Sequence, residues 1–187
     1  GAVARVASGA AANGGVKADR GPGAAVISMA PGTAINAGSG SIMITLNNGA
    51  GLADSTSGNI TLANLTGGGV TLQNLGPTAG SGITTLAGSA INAASLTANA
   101  QAGDINFNGM VAASGNVNLT AGSHVRVNDA TVDAAGAVNV NALFLDITAG
   151  AGPARLQAGT NLDVAAGEVT LTGGSAAGAF AELRGGP

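Results

Sequence analysis

The stretch Gly115-Asn-Val-Asn-Leu-Thr-Ala-Gly-Ser-His-Val-Arg-Val-Asn-Asp-Ala-Thr-Val-Asp-Ala-Ala-Gly-Ala-Val-Asn-Val-Asn141 decides the fold. Within it, aliphatic side chains stand at alternate positions: Val117 and Leu119, Val125 and Val127, Val138 and Val140. Asn118, Arg126 and Asn139 stand between them. A period of two places the aliphatics on one face of a strand and the polar residues on the other, so Arg126 is expected to point outward. Gly115 and Gly136 each lie two positions before a valine that opens a run. A turn residue at a fixed place before each strand is the mark of a corner.

Outward from this stretch the same unit recurs as Ile42-Met-Ile-Thr-Leu46, Ile60-Thr-Leu62, Val70-Thr-Leu72, Ile105-Asn-Phe107, Leu162-Asp-Val164 and Val169-Thr-Leu171. Its clearest duplication sets Ile60-Thr-Leu-Ala-Asn-Leu65 against Val70-Thr-Leu-Gln-Asn-Leu75. The anchors Ile42, Ile60, Ile83, Ile105, Val117, Val138 and Leu156 advance mostly in steps near twenty residues, and shorter steps fit strands within one coil. This is the scale of a β-solenoid, with about eight or nine coils in a rod on the order of 40 Å long. One coil cannot offset its own ordering entropy; stacked coils can, because each strand then hydrogen-bonds to the coils on either side.

A single unit over residues 1–187 is expected, with a less regular Ala/Gly-rich start at 1–24 and the main coils at 25–187. Gly1-Ala-Val-Ala-Arg-Val6 already reads as a strand, and residues 1–20 lack the continuous apolar stretch of a signal peptide. Asn48-Gly49 and Asn108-Gly109 are the hairpin-type turn pairs, yet they sit among many turns without that chemistry. Helix fails because 33 glycines recur throughout, each costing about 1 kcal/mol in a helix interior. Residues 89–102 lack glycine, but Ile91 and Leu96 suit neither helical face, so an irregular or strand-containing coil is expected there. Asn beside the strands suits corners, through left-handed conformations and amides that bond to the stacked copy. Of Phe107, Phe144 and Phe180, at least two are expected to face inward.

The segment 115–141, with Gly58-Asn-Ile-Thr-Leu62 and Gly167-Glu-Val-Thr-Leu171, resembles the repeats of filamentous haemagglutinin-like exoproteins, over most of the chain from about residue 40 onward. The Asn-Pro-Asn-Gly secretion motif of that family's N-terminal domain is missing, which points to a segment of the shaft. The resemblance implies an all-β, right-handed parallel β-helix from a secreted or cell-surface bacterial protein, with an adhesin, biofilm-matrix or toxin-stalk role. The expectation is a structural shaft or fibre-forming β-helix and not an enzyme. Its expected partners are further copies stacked end to end or a longer stretch of its own chain, with a host or matrix surface ligand as a further partner. The alternative is a polysaccharide-active β-helix enzyme.

Charged residues make up 8% of the chain, and the net charge is -3. No basic excess is present to displace counterions from nucleic acid, and aromatics, at 2%, offer no platform for bases. No apolar run is long enough to span a bilayer, so no membrane insertion is expected. Zero cysteine excludes disulfides, thiol nucleophiles and Cys-based zinc sites. No cofactor, metal or catalytic residue is expected. The one local concentration of titratable groups is Asp129 and Asp133 behind His124, the sole histidine, and Arg126. A glycosidase-like carboxylate pair can be drawn from the two acids, but a solvated face is the stronger reading. Gly67-Gly68-Gly69 precedes a strand and so lacks the helix that a phosphate loop needs. Thr170-Leu171-Thr172 alone has the spacing of an ice-binding rank. Three sequons, at Asn59, Asn64 and Asn118, leave glycosylation open.

Overall fold

A computed structural model describes residues 14–18, 26–46 and 58–186, with side chains from residue 26 onward. The expected strand at 1–6 and the Asn48-Gly49 turn lie outside the described residues. Every regular element among the described residues is a β-strand, and every strand pairing is parallel. The chain is a β-solenoid with three strands per coil, stacked into three faces.

Face A holds Ile27–Ser28, Ile60–Leu62, Ile83–Thr85, Ile105–Phe107 and His124–Asn128, then the second halves of the long strands Val138–Thr148 and Leu162–Thr172. Face B holds Ala34–Asn36, the first halves of Asn64–Asn74 and Ala90–Ala100, then Met110–Ala113, Thr131–Ala134, Ala154–Ala158 and Ala181–Arg184. Face C holds Gly14–Ala18, Ile42–Leu46, the remaining halves of the four long strands, and Val117–Ala121. Residues 89–102 are therefore mostly one long strand bent around a corner, as the strand-containing reading required.

Register explains the core. On face A, Ile60, Ile83, Ile105, Val125 and Leu145 superpose; on face B, Leu65, Ile91, Val111, Val132 and Leu156; on face C, Ile42, Val70, Leu96, Val117 and Val138. All are essentially inaccessible to solvent. Each such side chain contributes about 1.5 to 3 kcal/mol of burial. The duplicated segments 60–65 and 70–75 lie within one coil, and Ile60, Leu65 and Val70 supply its three walls.

The coil count is smaller than expected. Among the described residues each face carries seven ranks, a solenoid of about six turns and not eight or nine, roughly 30 Å along the axis at the strand spacing. The reason is coil length. The step is 20 residues from His124 to Phe144 but 24 from Val138 to Leu162 and 33 from Ile27 to Ile60. Two of the anchor steps near twenty also cross between faces: Ile42 lies under Val70 and not Ile60, and Val138 under Leu162 and not Leu156.

Corners differ in chemistry. Between faces A and B the chain turns through left-handed backbone at Gly32, Gly88, Asp129 and Gly178. Asp129 is the one non-glycine there among the described residues. The expected left-handed asparagines are thus absent from the described corners, where asparagines bond to adjacent coils through their amides. Asn128 donates to Asn108 (3.1 Å) at the A–B corner, and within the strands of face C Asn139 donates to Asn118 (2.8 Å). Asn108-Gly109 joins parallel strands at this same corner and is not a hairpin turn. Between faces B and C the backbones close in: a Cβ on Gly115 would stand 2.6 Å from the Ala94 carbonyl oxygen. Asn74, fully buried beyond face C, donates to the carbonyls of Gly58 (3.0 Å) and Gly82 (2.8 Å), tying two coils to one amide.

Phe107 is the one phenylalanine ring in the core. Phe144 points outward from face A and stacks on His124, while Phe180 is exposed on the last coil. The expectation of two inward rings fails because Phe144 occupies the outward phase of its strand, between buried Ala142 and Leu145 across a bend.

Candidate functional site

From residue 26 onward, the charged side chains among the described residues begin at Asp104 and lie mostly on faces A and B, with Asp163 on face C. On face A, Arg126 stands one rank above Asn106 and one below Asp146. Its guanidinium bonds Asp104 through Nη1, lies 3.5 Å from Asp146 through Nε, and reaches the Asn106 amide oxygen at 3.3 Å. His124 joins the same group. Its Nδ1 lies 2.7 Å from Ser123 Oγ and 3.4 Å from Asp104, and its Nε2 lies 4.0 Å from Asp146. Burial alone would raise the Asp104 pKa, but hydrogen bonds from Arg126 and the His124 amide, with the nearby positive charge, hold it below the ordinary carboxylate value.

The two acids singled out in the sequence do not form a pair. Asp129 sits at the A–B corner and accepts from the backbone amides of Gly150, Ala151 and Gly152 on the next coil. Those bonds, chiefly from Gly150, lower its pKa. Asp133 lies on face B and takes a bidentate bond from Arg155, Nε at 2.9 Å and Nη2 at 2.7 Å. That contact, helped by the Asp133 charge and by Glu182, raises the Arg155 pKa further. Each of the two carboxylates therefore serves a contact from one coil to the next. Arg126 points outward as its flanking valines required: Val125 and Val127 are buried.

Sequence reading missed Asp104, Asp146 and Arg155 as partners. The signal was there, since Asp104 precedes Arg126 by 22 residues and Arg126 precedes Asp146 by 20, both close to one coil. Searching for titratable neighbours only within a few residues could not find contacts made from coil to coil.

The sequons are unequal. The side-chain amides of Asn59 and Asn64 donate to Thr84 and to the Thr33 carbonyl, whereas Asn118 only accepts, from Asn139. Gly67-Gly68-Gly69 lies inside a strand where face B bends into face C, with the Gly68 amide on the Gly40 carbonyl. No group of three or more His, Cys, Asp or Glu among the described residues could hold a metal.

A surface recess of about 640 Å³ runs along the edge of face B beside the B–C corner. Asn92, Ala112, Asp133 and Gln157 line it in register on four successive ranks, with Ser114 at the corner and Arg155 from the neighbouring column. A smaller recess of about 370 Å³ lies along the A–B corner, between Met110 and Asp129.

Compared with known protein families, curated proteins and solved structures, the chain matches none of them.

Proposed function

We propose that this chain is a shaft: a length of stiff rod from a secreted or cell-surface bacterial protein, extended axially by further coils. The observation that carries the reading is the state of its last rank. Val169 and Leu171 stand directly over Leu145 and Ile147, which are wholly buried, yet are themselves 44% and 50% exposed. Phe180 is exposed on the same coil. A rank of this kind is completed by another parallel coil, from a longer stretch of the same polypeptide or from a second copy. The charged groups support the same reading, because Asp104, Arg126, Asp146, Asp133 and Arg155 are engaged in coil-to-coil contacts. Asp129 and Asp133, the residues on which a polysaccharide-cleaving reading rested, each serve such a contact.

Electron microscopy with sedimentation velocity over a range of concentrations tests the proposal on the purified chain. Particles should lengthen with concentration at constant width, and Leu171→Asp should hold them at the short form. A monomer of unchanging size at every concentration, or growth sideways into sheets, would refute axial assembly.

A further inference from the structure

We infer that the last coil docks the first coil of a second copy of this chain, so that rods join head to tail in one polar direction. The inference rests on the shaft reading and deepens it, naming the occupant of the uncovered end and the direction in which that occupant lies.

Register supplies the first argument. On face C the column that begins at Val16 passes through Ile44, Leu72, Leu119 and Val140 to Val164. On face A the column of Ile27 passes through Ile60, Ile105 and Leu145 to Val169. On face B that of Ile35 passes through Leu65, Val132 and Leu156 to Leu183. A second copy set one rank beyond the last, in the same direction, therefore brings Val16 over Val164, Ile27 over Val169 and Ile35 over Leu183. Aliphatic meets aliphatic on all three walls. The face B column is also incompletely covered at both ends: Ile35 and Leu183 are half-buried, whereas Leu65 and Leu156 beside them are wholly buried.

Charge supplies the second argument, and it sets the direction. Residues 1–25 carry Arg5, Lys17 and Arg20 against Asp19, a net charge of +2. Residues 162–187 carry Asp163, Glu168 and Glu182 against Arg184, a net charge of -2. Two last coils placed together would oppose like charges, and so would two first coils; head to tail opposes unlike ones. One pairing is local. From residue 26 onward, Asp163 is the one charged residue on face C among the described residues, and Lys17, on the first rank of that face, is the chain's only lysine. Stacking puts Gly15 of the second copy over Asp163 and Lys17 two residues further along, a diagonal spacing within reach of long side chains. A contact between two different surfaces does not close on itself, so it repeats and gives a filament.

Two blocked chains test the direction. Leu171→Asp disables the last coil and leaves the first intact, and Ile27→Asp does the reverse. In sedimentation velocity with electron microscopy, each should stay single when alone, and an equimolar mixture should give pairs of twice the length and unchanged width. A second set changes charge only: Asp163→Lys should weaken association of the chain about threefold or more, and adding Lys17→Asp should restore it. Far-UV circular dichroism of each variant separates lost association from lost fold. Pairing of the Leu171→Asp chain alone, start to start, or of the Ile27→Asp chain alone, end to end, overturns the head-to-tail inference and leaves axial assembly standing. So does a mixture that stays single while the unmodified chain lengthens, or a double charge variant no better than Asp163→Lys. An unmodified chain that never lengthens overturns both readings, its last coil then being covered by something other than a copy of itself.

Discussion

Asp129 shows how a residue can look catalytic in a sequence and serve the backbone in the fold. Its φ of 46° is a conformation that side chains other than glycine, asparagine and aspartate rarely adopt. What holds it there is the carboxylate, which gathers three amides from the turn of the next coil. Asp129→Ala should lower the melting temperature by removing the acceptors while keeping the strain. An asparagine side chain would keep one acceptor and the backbone preference, so Asp129→Asn should lose less; equal losses would argue against the carboxylate's role. The pH dependence follows from the same groups. Asp104 and Asp129 both have folded pKa values below the ordinary 3.8, so the folded state binds fewer protons than the unfolded chain in that range. Their contribution is complete above about pH 5 and is lost as pH falls below 3.8 through the lowered values. Chemical denaturation at a series of pH values should therefore show level stability from neutrality to mild acid and a decline below about pH 4. A chain carrying both Asp104→Asn and Asp129→Asn should decline less steeply.

At the scale of the element, the corners set the limits on sequence. Gly136 donates its amide to the Gly115 carbonyl at 3.0 Å, and a Cβ there would stand 2.8 Å from the Gly115 carbonyl carbon. Gly136→Ala should cost about 1 to 3 kcal/mol, the usual penalty of forcing an atom into a filled space. Gly152, with open space where a Cβ would go, should accept alanine with no loss, or with a gain of about 0.4 to 1 kcal/mol from a less flexible unfolded chain. Equilibrium urea unfolding of the two variants checks both signs. The contrast also explains how far the sequence could be read. Alternation revealed the strands because one side of each must be apolar, and glycine before Val117 and Val138 revealed a corner. It could not assign strands to faces, since Ile60, Leu65 and Val70 are chemically alike and differ only in the wall they supply. Coil length was equally hidden. A turn such as 150–153, tied by Asp129, lengthens the coil without altering the strands beside it. The recess was illegible for a related reason: Asn92, Ala112, Asp133 and Gln157 become neighbours only once the steps between ranks are known.

At the scale of the molecule, the long-range order is a sequence of nearest-neighbour contacts. Asp104 reaches Arg126, Arg126 reaches Asp146 and Asp133 reaches Arg155, all within one coil step of each other. Even the buried Thr85 hydroxyl is satisfied locally, by the amides of Asn108 (2.9 Å) and Gly109 (3.2 Å) on the following coil. No described contact requires the first coil to meet the last, whereas a globular domain of this size closes one core around distant segments. Removing residues 162–187 takes away the last rank of faces C and A and the last strand of face B. Every ion pair named above survives that cut, and only the charge of Glu182 near Arg155 is lost. The shortened chain should therefore stay folded. Its far-UV β-signal per residue should be nearly unchanged, and its urea m-value should fall roughly in proportion to the surface no longer buried. Leu145, Ile147 and Leu156 would become the new uncovered end, so its tendency to associate axially should persist. Loss of the β-signal altogether, at a concentration where the full chain is folded, would mean that the coils depend on one another beyond their neighbours and that the rod is not modular.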